Sequence, residues 1–247
     1  MSQIAQLQRM NIGKGFRAFA LRGGGAEDAM DPFLGVDHAQ MSEPTFATHP
    51  HAGFSAVSYL FLDAETGINN RDSLGTRNLI RPGGLHWTAA GRGVVHDEVP
   101  ALTGKTVHML QIFVNLPREK HHDAPFALAL APQDVPVVNL PGVKVRVPLG
   151  AFAGQRSPLS PPTEVQLLDI SLDASAELSL PVSAGLTAFV LPIAGSVVWV
   201  TPPGAQNGRA QGIGIHFNND ESGIEARRKI EGLLGGVMQS TRPTHTL

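Results

Sequence analysis

The chain of 247 residues contains no cysteine. That absence excludes disulfides, a thiolate nucleophile, zinc fingers and iron–sulfur sites, because all of these need cysteine sulfur. A metal ion bound by this protein must therefore be held by histidine, aspartate, glutamate or water.

Charged residues are also scarce, at 16% of the chain, and they nearly balance to a formal net charge of −2. Nucleic-acid-binding domains usually carry clustered lysine and arginine, so direct binding to nucleic acid is disfavoured, although binding to a DNA-bound partner is not. No apolar run approaches the about 20 residues that a membrane-spanning helix needs, and the N-terminal sequence lacks the apolar core of a signal peptide. We expect a soluble, cytoplasmic protein that does not associate with membranes.

Turn-forming residues are plentiful, with 27 glycines and 19 prolines. They divide the chain into short apolar runs of strand type, such as FRAFAL, AVSYLFL and VHMLQIFVNL. No segment of the first half shows a helical period over three turns, so the pattern predicts an all-β fold built as a sandwich or barrel.

A charged, proline-containing stretch over residues 117–136 separates two β-rich halves. We predict an N-terminal metal-binding domain over residues 1–125 and a second β domain over residues 126–247. Near the C-terminus, residues 224–236 (IEARRKIEGLLGG) have an apolar stripe that predicts a short helix packed on a barrel.

Two pairs of potential metal ligands share the same spacing: His49 with His51, and His96 with Glu98. Residues two apart on a strand point to the same side, about 6.5 Å apart, so each pair can converge on one point. Two such strands facing each other across a barrel would supply four ligands. Three imidazoles and one carboxylate suit Fe, Mn, Co, Ni, Cu or Zn rather than Mg or Ca. Either pair alone is a weak signal, because an isolated HxH is more often made of exposed turn histidines or of histidines hydrogen-bonded across strands. The prediction of a metal site therefore depends on the combination of the two pairs.

Five segments around these pairs form an ordered series: DPFLGVDHAQ (31–40), HPHAGF (49–54), RDSLG (71–75), RPGGLHWTAAGRGVVHDEVP (81–100) and LQIFVNLP (110–117). In order and spacing this series resembles the pirin family, and WTAAGRGVVHDE is its most specific run. The resemblance is dense over residues 10–117 and thins out in the second half.

This resemblance implies a bicupin, with two antiparallel jelly-roll-like barrels packed face to face. It also implies one divalent transition metal per chain, typically iron, in the N-terminal barrel on His49, His51, His96 and Glu98. The corresponding segment of the second barrel reads Pro-Val-Ser at residues 181–183. The C-terminal barrel is therefore expected to hold no metal.

The resemblance further implies a quercetin 2,3-dioxygenase-like reaction on a small aromatic or flavonol-like substrate. Glu98 would then be the catalytic residue, because a carboxylate that loosens from a metal can accept the substrate hydroxyl proton. The alternative is a non-enzymatic, metal-dependent and redox-sensitive regulator that binds an enzyme or a transcription factor. The sequence leaves the protein partner and the oligomeric state open.

Four positions depart from the usual family pattern: Ser55 replaces an acidic residue, Asn70 a histidine, Gly84 an aspartate and His86 a glutamine. None is expected to bind the metal directly. They change the surroundings of the ligands, which orient the ligands and tune the metal.

The remaining histidines have plainer interpretations. His38 is expected to be a loop histidine bonded to backbone, or alternatively to line the pocket mouth. His86 is expected to be a surface or packing residue, or alternatively to contact the ligands or the substrate, and His121 and His122 are expected to be solvated. Strand alternation predicts that only one set of the residues His108, Gln111 and Phe113 points inward.

Overall fold

The structure, a computed structural model, describes residues 7–22, 30–173, 176–180, 188, 190, 195–201 and 212–217. Within these ranges the chain forms eighteen strands and two short 3-10 helices, so the all-β prediction is confirmed. The predicted C-terminal helix over residues 224–236 and the Pro-Val-Ser segment lie outside the described residues.

The strands are β1 (Gln8–Ile12), β2 (Phe16–Leu21), β3 (Phe33–Met41), β4 (His49–His51), β5 (Phe54–Leu60), β6 (Ile68–Asp72), β7 (Arg77–Ile80), β8 (Leu85–Ala89), β9 (Val94–Pro100), β10 (Val107–Asn115), β11 (Phe126–Leu130), β12 (Val137–Leu140), β13 (Val143–Leu149), β14 (Ala151–Phe152), β15 (Gln155–Arg156), β16 (Leu167–Leu172), β17 (Gly195–Thr201) and β18 (Gly212–Phe217). The two 3-10 helices are Arg118–Lys120 and Pro132–Asp134. No helix in the described part of the chain is long and apolar enough to cross a membrane.

Two antiparallel sheets form the N-terminal part of the fold. The larger has the strand order β1-β2-β3-β10-β5-β8-β11, and the smaller has the order β4-β9-β6-β7. Apolar side chains from both sheets form one core cluster, with members that include Met41, Leu60 and Met109 from the larger sheet and Ile68 and Ile80 from the smaller. The two sheets therefore enclose a common interior.

The described chain divides into two compact units. The first comprises Ala5–Asn139 and Lys144–Ile170 and contains both large sheets. The second takes in residues 140–143 and the described residues from 171 onward, where β17 pairs with β18. The domain boundary at residue 125 stays a prediction; β11, which follows it, pairs with β8 of the larger sheet.

A row of polar side chains crosses the inner face of the larger sheet. Asp37, Gln111, Ser58 and His86 lie at directly paired positions on β3, β10, β5 and β8. Because successive side chains of a strand alternate faces, the same register turns the neighbouring apolar residues to the opposite face. Those residues are Val36, Ile112, Val57 and Trp87, all of which are buried.

The turn before β9 is fixed by a close backbone approach at Gly91. Gly91 has φ +49°, and a Cβ there would lie 2.3 Å from the backbone oxygen of Asp123. The same residue's carbonyl accepts a hydrogen bond from the Gly53 N–H at 2.8 Å. This bond ties the turn that follows β4 to the turn that precedes β9, and these are the two strands that carry the predicted ligands.

Candidate metal centre

The two histidine-bearing strands are hydrogen-bonded neighbours in the four-stranded sheet. β4 pairs with β9 so that His49 lies directly opposite His96. One ring nitrogen from each of His49, His51 and His96 lies within 4.8 Å of the others. The Nε2 atoms of His51 and His96 are 2.9 Å apart.

This arrangement corrects one part of the sequence interpretation. The two ligand-bearing strands were predicted to face each other across a barrel, and that is wrong, because β4 and β9 are adjacent. Directly opposite residues of neighbouring antiparallel strands have Cβ atoms about 5 Å apart. The pairing of His49 with His96 therefore places these two rings as close together as His49 and His51 are within β4, with ring centroids 4.8 Å apart in both cases.

The three imidazoles are in a state suited to bind a metal ion. His49 Nδ1 donates to the Ala47 carbonyl at 2.8 Å, which leaves its Nε2 lone pair free and fixes the ring. Burial, with a contribution from His49, lowers the pKa of His51 to about 4. Burial, with smaller contributions from neighbouring imidazoles, lowers the pKa of His96 to about 3. Both rings are neutral at pH 7, and neutral imidazole is the form that coordinates transition metals, so these residues fit such an ion.

Glu98 lies two residues after His96 on β9, as the spacing requires, and lines the same cavity as the histidines. Its Oε2 accepts a hydrogen bond from Ser58 Oγ at 2.7 Å. Enclosure by protein raises the pKa of Glu98 to about 7, and the Ser58 hydrogen bond opposes this rise. Its carboxylate is not within the 4.8 Å group of ring nitrogens, so its role as a ligand stays a prediction.

The histidine cluster opens on a cavity of about 350 Å³. Three of its lining side chains are polar and belong to the larger sheet or its edge: Arg22, Asp37 and Gln111. The rest of the lining is mainly apolar, from Met10, Ile12, Phe16, Ala39, Met41, Phe46, Met109 and Phe113. A mostly apolar hollow of this size with a few polar groups is typical of a small-molecule site.

The strand of His108, Gln111 and Phe113 alternates as predicted, since Gln111 and Phe113 line the cavity. His108 points to the opposite face, where its Nε2 lies 2.6 Å from Nε2 of His38. The interpretation of His38 as a loop histidine is wrong, because it lies within β3 and bonds to a side chain. Neither His38 nor His108 belongs to the metal cluster.

Of the four residues that depart from the family pattern, three have buried side chains in the first compact unit: Ser55, Asn70 and His86. His86 is 1% exposed, so its interpretation as a surface residue is wrong and packing in the interior is confirmed. Gly84 is enclosed as well, since a Cβ there would lie 3.0 Å from two backbone oxygens. Of the histidines predicted to be solvated, His122 is exposed, whereas the His121 ring donates to the Leu116 carbonyl at 2.8 Å.

Sequence reasoning missed two features of the site. The first is Ser58, a polar residue inside the apolar strand FSAVSYL. A polar residue at such a position indicates a buried hydrogen bond, but only the sheet register shows that its partner is Glu98. The ion pair between Arg22 and Asp37 is the other, and no spacing along the chain predicts it.

Comparison with known proteins extends these observations. The Pirin family model matches residues 13–114. Mouse pirin is 36% identical over 178 residues, an alignment that spans 72% of this chain and 60% of the mouse protein. The chain thus spans less than two thirds of the length of that relative.

Solved structures show the same fold. The protein GK1651 of Geobacillus kaustophilus superposes with a TM-score of 0.62 at 30% identity, over 69% of this chain and 67% of that one. A quercetin 2,3-dioxygenase of Acinetobacter baumannii superposes with a TM-score of 0.59 at 25% identity, over 68% of this chain and 62% of that one. The matched motifs, the fold and the relatives together show that this chain belongs to the pirin family.

Proposed function

We propose that the protein is a metal-dependent dioxygenase of the quercetin 2,3-dioxygenase type, which acts on a flavonol or a related small aromatic compound. The observation that carries the proposal is the convergence of three imidazoles on the wall of a largely apolar cavity of about 350 Å³. An ion bound only for structure needs no such hollow beside it, whereas an enzyme must admit its substrate to the metal.

His49, His51 and His96 would hold one divalent transition metal, most often iron in this family, and Glu98 would complete the set. The bound ion supplies a Lewis acid for the substrate oxygen and a route for electrons from substrate to O2. Glu98 takes the proton of the substrate hydroxyl, because it lines the same cavity and its Oε1 has no hydrogen-bond partner in the described part of the chain. Both atoms of O2 enter the products, so no external reductant is consumed.

Ser58 is a positioning residue in this scheme. Its hydroxyl lies 2.7 Å from Oε2 of Glu98 and 3.1 Å from Oε1 of Gln111. Gln111 is in turn anchored by its Nε2, which donates to the Val57 carbonyl at 3.3 Å. The two residues keep one carboxylate oxygen of Glu98 directed at the larger sheet.

The test combines elemental analysis with O2 consumption on quercetin, measured on one preparation purified without added metal. We expect about one equivalent of a transition metal per chain and O2 uptake, with both lost in His96→Ala. His38→Ala is the matched control, because it removes a partly buried histidine from the opposite sheet face and should leave both intact.

Metal without O2 uptake on a panel of flavonols and catechols would refute the dioxygenase proposal and favour the non-enzymatic regulator. Absence of metal after reconstitution would refute both. If metal is bound without O2 uptake, His49→Ala and Glu98→Ala test the redox-switch version of the regulator: a partner interaction that survives loss of the metal would refute it.

A further inference from the structure

A cationic side chain, Arg22, lines the cavity beside its apolar residues. Arg22 directly follows β2 and lines the same cavity as the three histidines and Glu98. Its side chain keeps 45% of its surface accessible, which places a charged guanidinium where a bound ligand can reach it.

The guanidinium is held from two sides. Arg22 Nε donates to Oδ1 of Asp37 at 3.0 Å, and Nη2 donates to Oδ2 of the same carboxylate. The Asp37 side chain is only 5% exposed, so the carboxylate is fixed inside the wall. Arg22 Cζ also lies 5.3 Å from the centroid of the Phe113 ring, within the range of a cation–π contact.

A glycine on β3, Gly35, leaves space for the Arg22 side chain. A Cβ on Gly35 would lie 3.3 Å from Cγ of Arg22 and 3.6 Å from its Nε. Gly35 and Asp37 lie two apart on β3 and so face the same side, with the arginine stem across the first and its head on the second. The guanidinium is therefore preorganised before any ligand arrives.

Two of the five N–H groups of the Arg22 guanidinium donate to Asp37, and three remain. No other described residue accepts a hydrogen bond from these three. Because Arg22 and Asp37 together are neutral, the remaining donors suit an uncharged hydroxyl or carbonyl oxygen better than a carboxylate. Phe113 links this position to the metal centre, since its ring centroid lies 6.0 Å from that of His51.

We propose that Arg22 is a substrate-binding residue that selects aromatic compounds with an oxygen substituent remote from the oxygen that meets the metal. This inference rests on the proposed function and names the substrate class more closely: planar aromatics that carry hydroxyl or carbonyl groups at both ends. The apolar lining binds the ring system, and Arg22 donates to the distal oxygen.

The test compares quercetin with 3-hydroxyflavone, which keeps the 3-hydroxyl and 4-carbonyl groups but lacks the other hydroxyls. Their dissociation constants are measured by calorimetry under argon on Fe2+-loaded protein, so that no turnover occurs. Hydrogen bonds to charged groups contribute about 1.5–3 kcal/mol, so we expect wild type to prefer quercetin by about 10- to 100-fold. Arg22→Met should remove this preference and leave the affinity for 3-hydroxyflavone within about 3-fold, as expected for a change that spares the apolar contacts.

Two further variants keep the outcome clear. Arg22→Met with Asp37→Asn avoids a buried unpaired carboxylate and should show the same loss of preference. Arg17→Met removes an exposed arginine of β2 that is bonded to Gln40, and it should bind both compounds like wild type.

Equal affinity of wild type for both compounds, or a preference retained in both Arg22 variants, would overturn the inference. Binding of neither compound would overturn it as well. A protein that shows the Arg22-dependent preference but consumes no O2 would refute the dioxygenase proposal alone, whereas O2 uptake without that preference would refute the role of Arg22 alone.

Discussion

His86 should make the protein sensitive to acid. The side chain is 1% exposed, and burial lowers its pKa from 6.5 to about 4, with Asp72 opposing the shift. In the unfolded chain the imidazole takes up a proton below about pH 6.5, whereas in the folded protein it stays neutral until about pH 4. The unfolded state therefore binds more protons in this window, and stability falls as the pH falls.

The size of the effect follows from the shift. A shift of one pKa unit corresponds to about 1.36 kcal/mol. At pH 4.5, which is still above the folded pKa of His86, the free energy of unfolding should therefore be about 2.5 kcal/mol lower than at pH 8 because of His86 alone. His86→Gln keeps a polar side chain that does not titrate. We expect its free energy of unfolding to fall by about 2.5 kcal/mol less than that of wild type between pH 8 and pH 4.5.

The assay is urea unfolding in EDTA, followed by fluorescence. The chain has two tryptophans, so a Trp199→Phe background leaves Trp87 as the reporter, and Trp87 is buried next to His86. His122→Gln, an exposed position, is the control and should follow wild type. If His86→Gln and wild type lose stability in parallel, the imidazole does not carry the acid sensitivity and the reasoning from burial is wrong.

Three further predictions concern single contacts. Ser58→Ala should keep the metal content but lower kcat about 10-fold, because Glu98 loses the hydrogen bond that orients it; O2 uptake and elemental analysis on one sample check this. Gly91→Ala should lower the free energy of unfolding by more than about 2 kcal/mol, because the new Cβ would lie 2.3 Å from a backbone oxygen. Gly104→Ala is the control: Gly104 also has a positive φ but open space around it, so urea unfolding should show a loss of only about 1–2 kcal/mol. Tyr59→Phe removes a 2.6 Å hydrogen bond to a carboxylate of β16 and should cost about 1.5–3 kcal/mol; an unchanged unfolding midpoint would show that water replaces the bond.

The sequence predicts the strand content and the histidines of the site well, for a physical reason. Turn residues and two-residue periodicity are local signals, and His49, His51 and His96 belong to short motifs whose spacing is local too. Which strands pair is set by contacts between residues far apart in the chain. The adjacency of β4 and β9 was therefore mispredicted, although the three histidines that this pairing brings together were among the predicted ligands.

The same limit explains the features that were missed. Arg22 meets Asp37 only because β2 lies beside β3, and Ser58 meets Glu98 only because two sheets face a common interior. The loop interpretation of His38 failed similarly, because glycine and aspartate within DPFLGVDHAQ signal a turn, while pairing with both β2 and β10 holds the segment extended. Non-local pairing overrides local preference at each of these positions.

The three-residue strand β4 also bears on how the chain would respond to its metal supply. It is an edge strand, yet it carries two of the three imidazoles, and 45 residues separate His51 from His96. An ion held between them acts as a removable cross-link, and closing a loop of this length is worth about 4 kcal/mol in chain entropy. A chain made where metal is scarce would lack that cross-link, so it would be easier to unfold and degrade. The abundance of the protein could then follow the availability of its ion without any dedicated sensor.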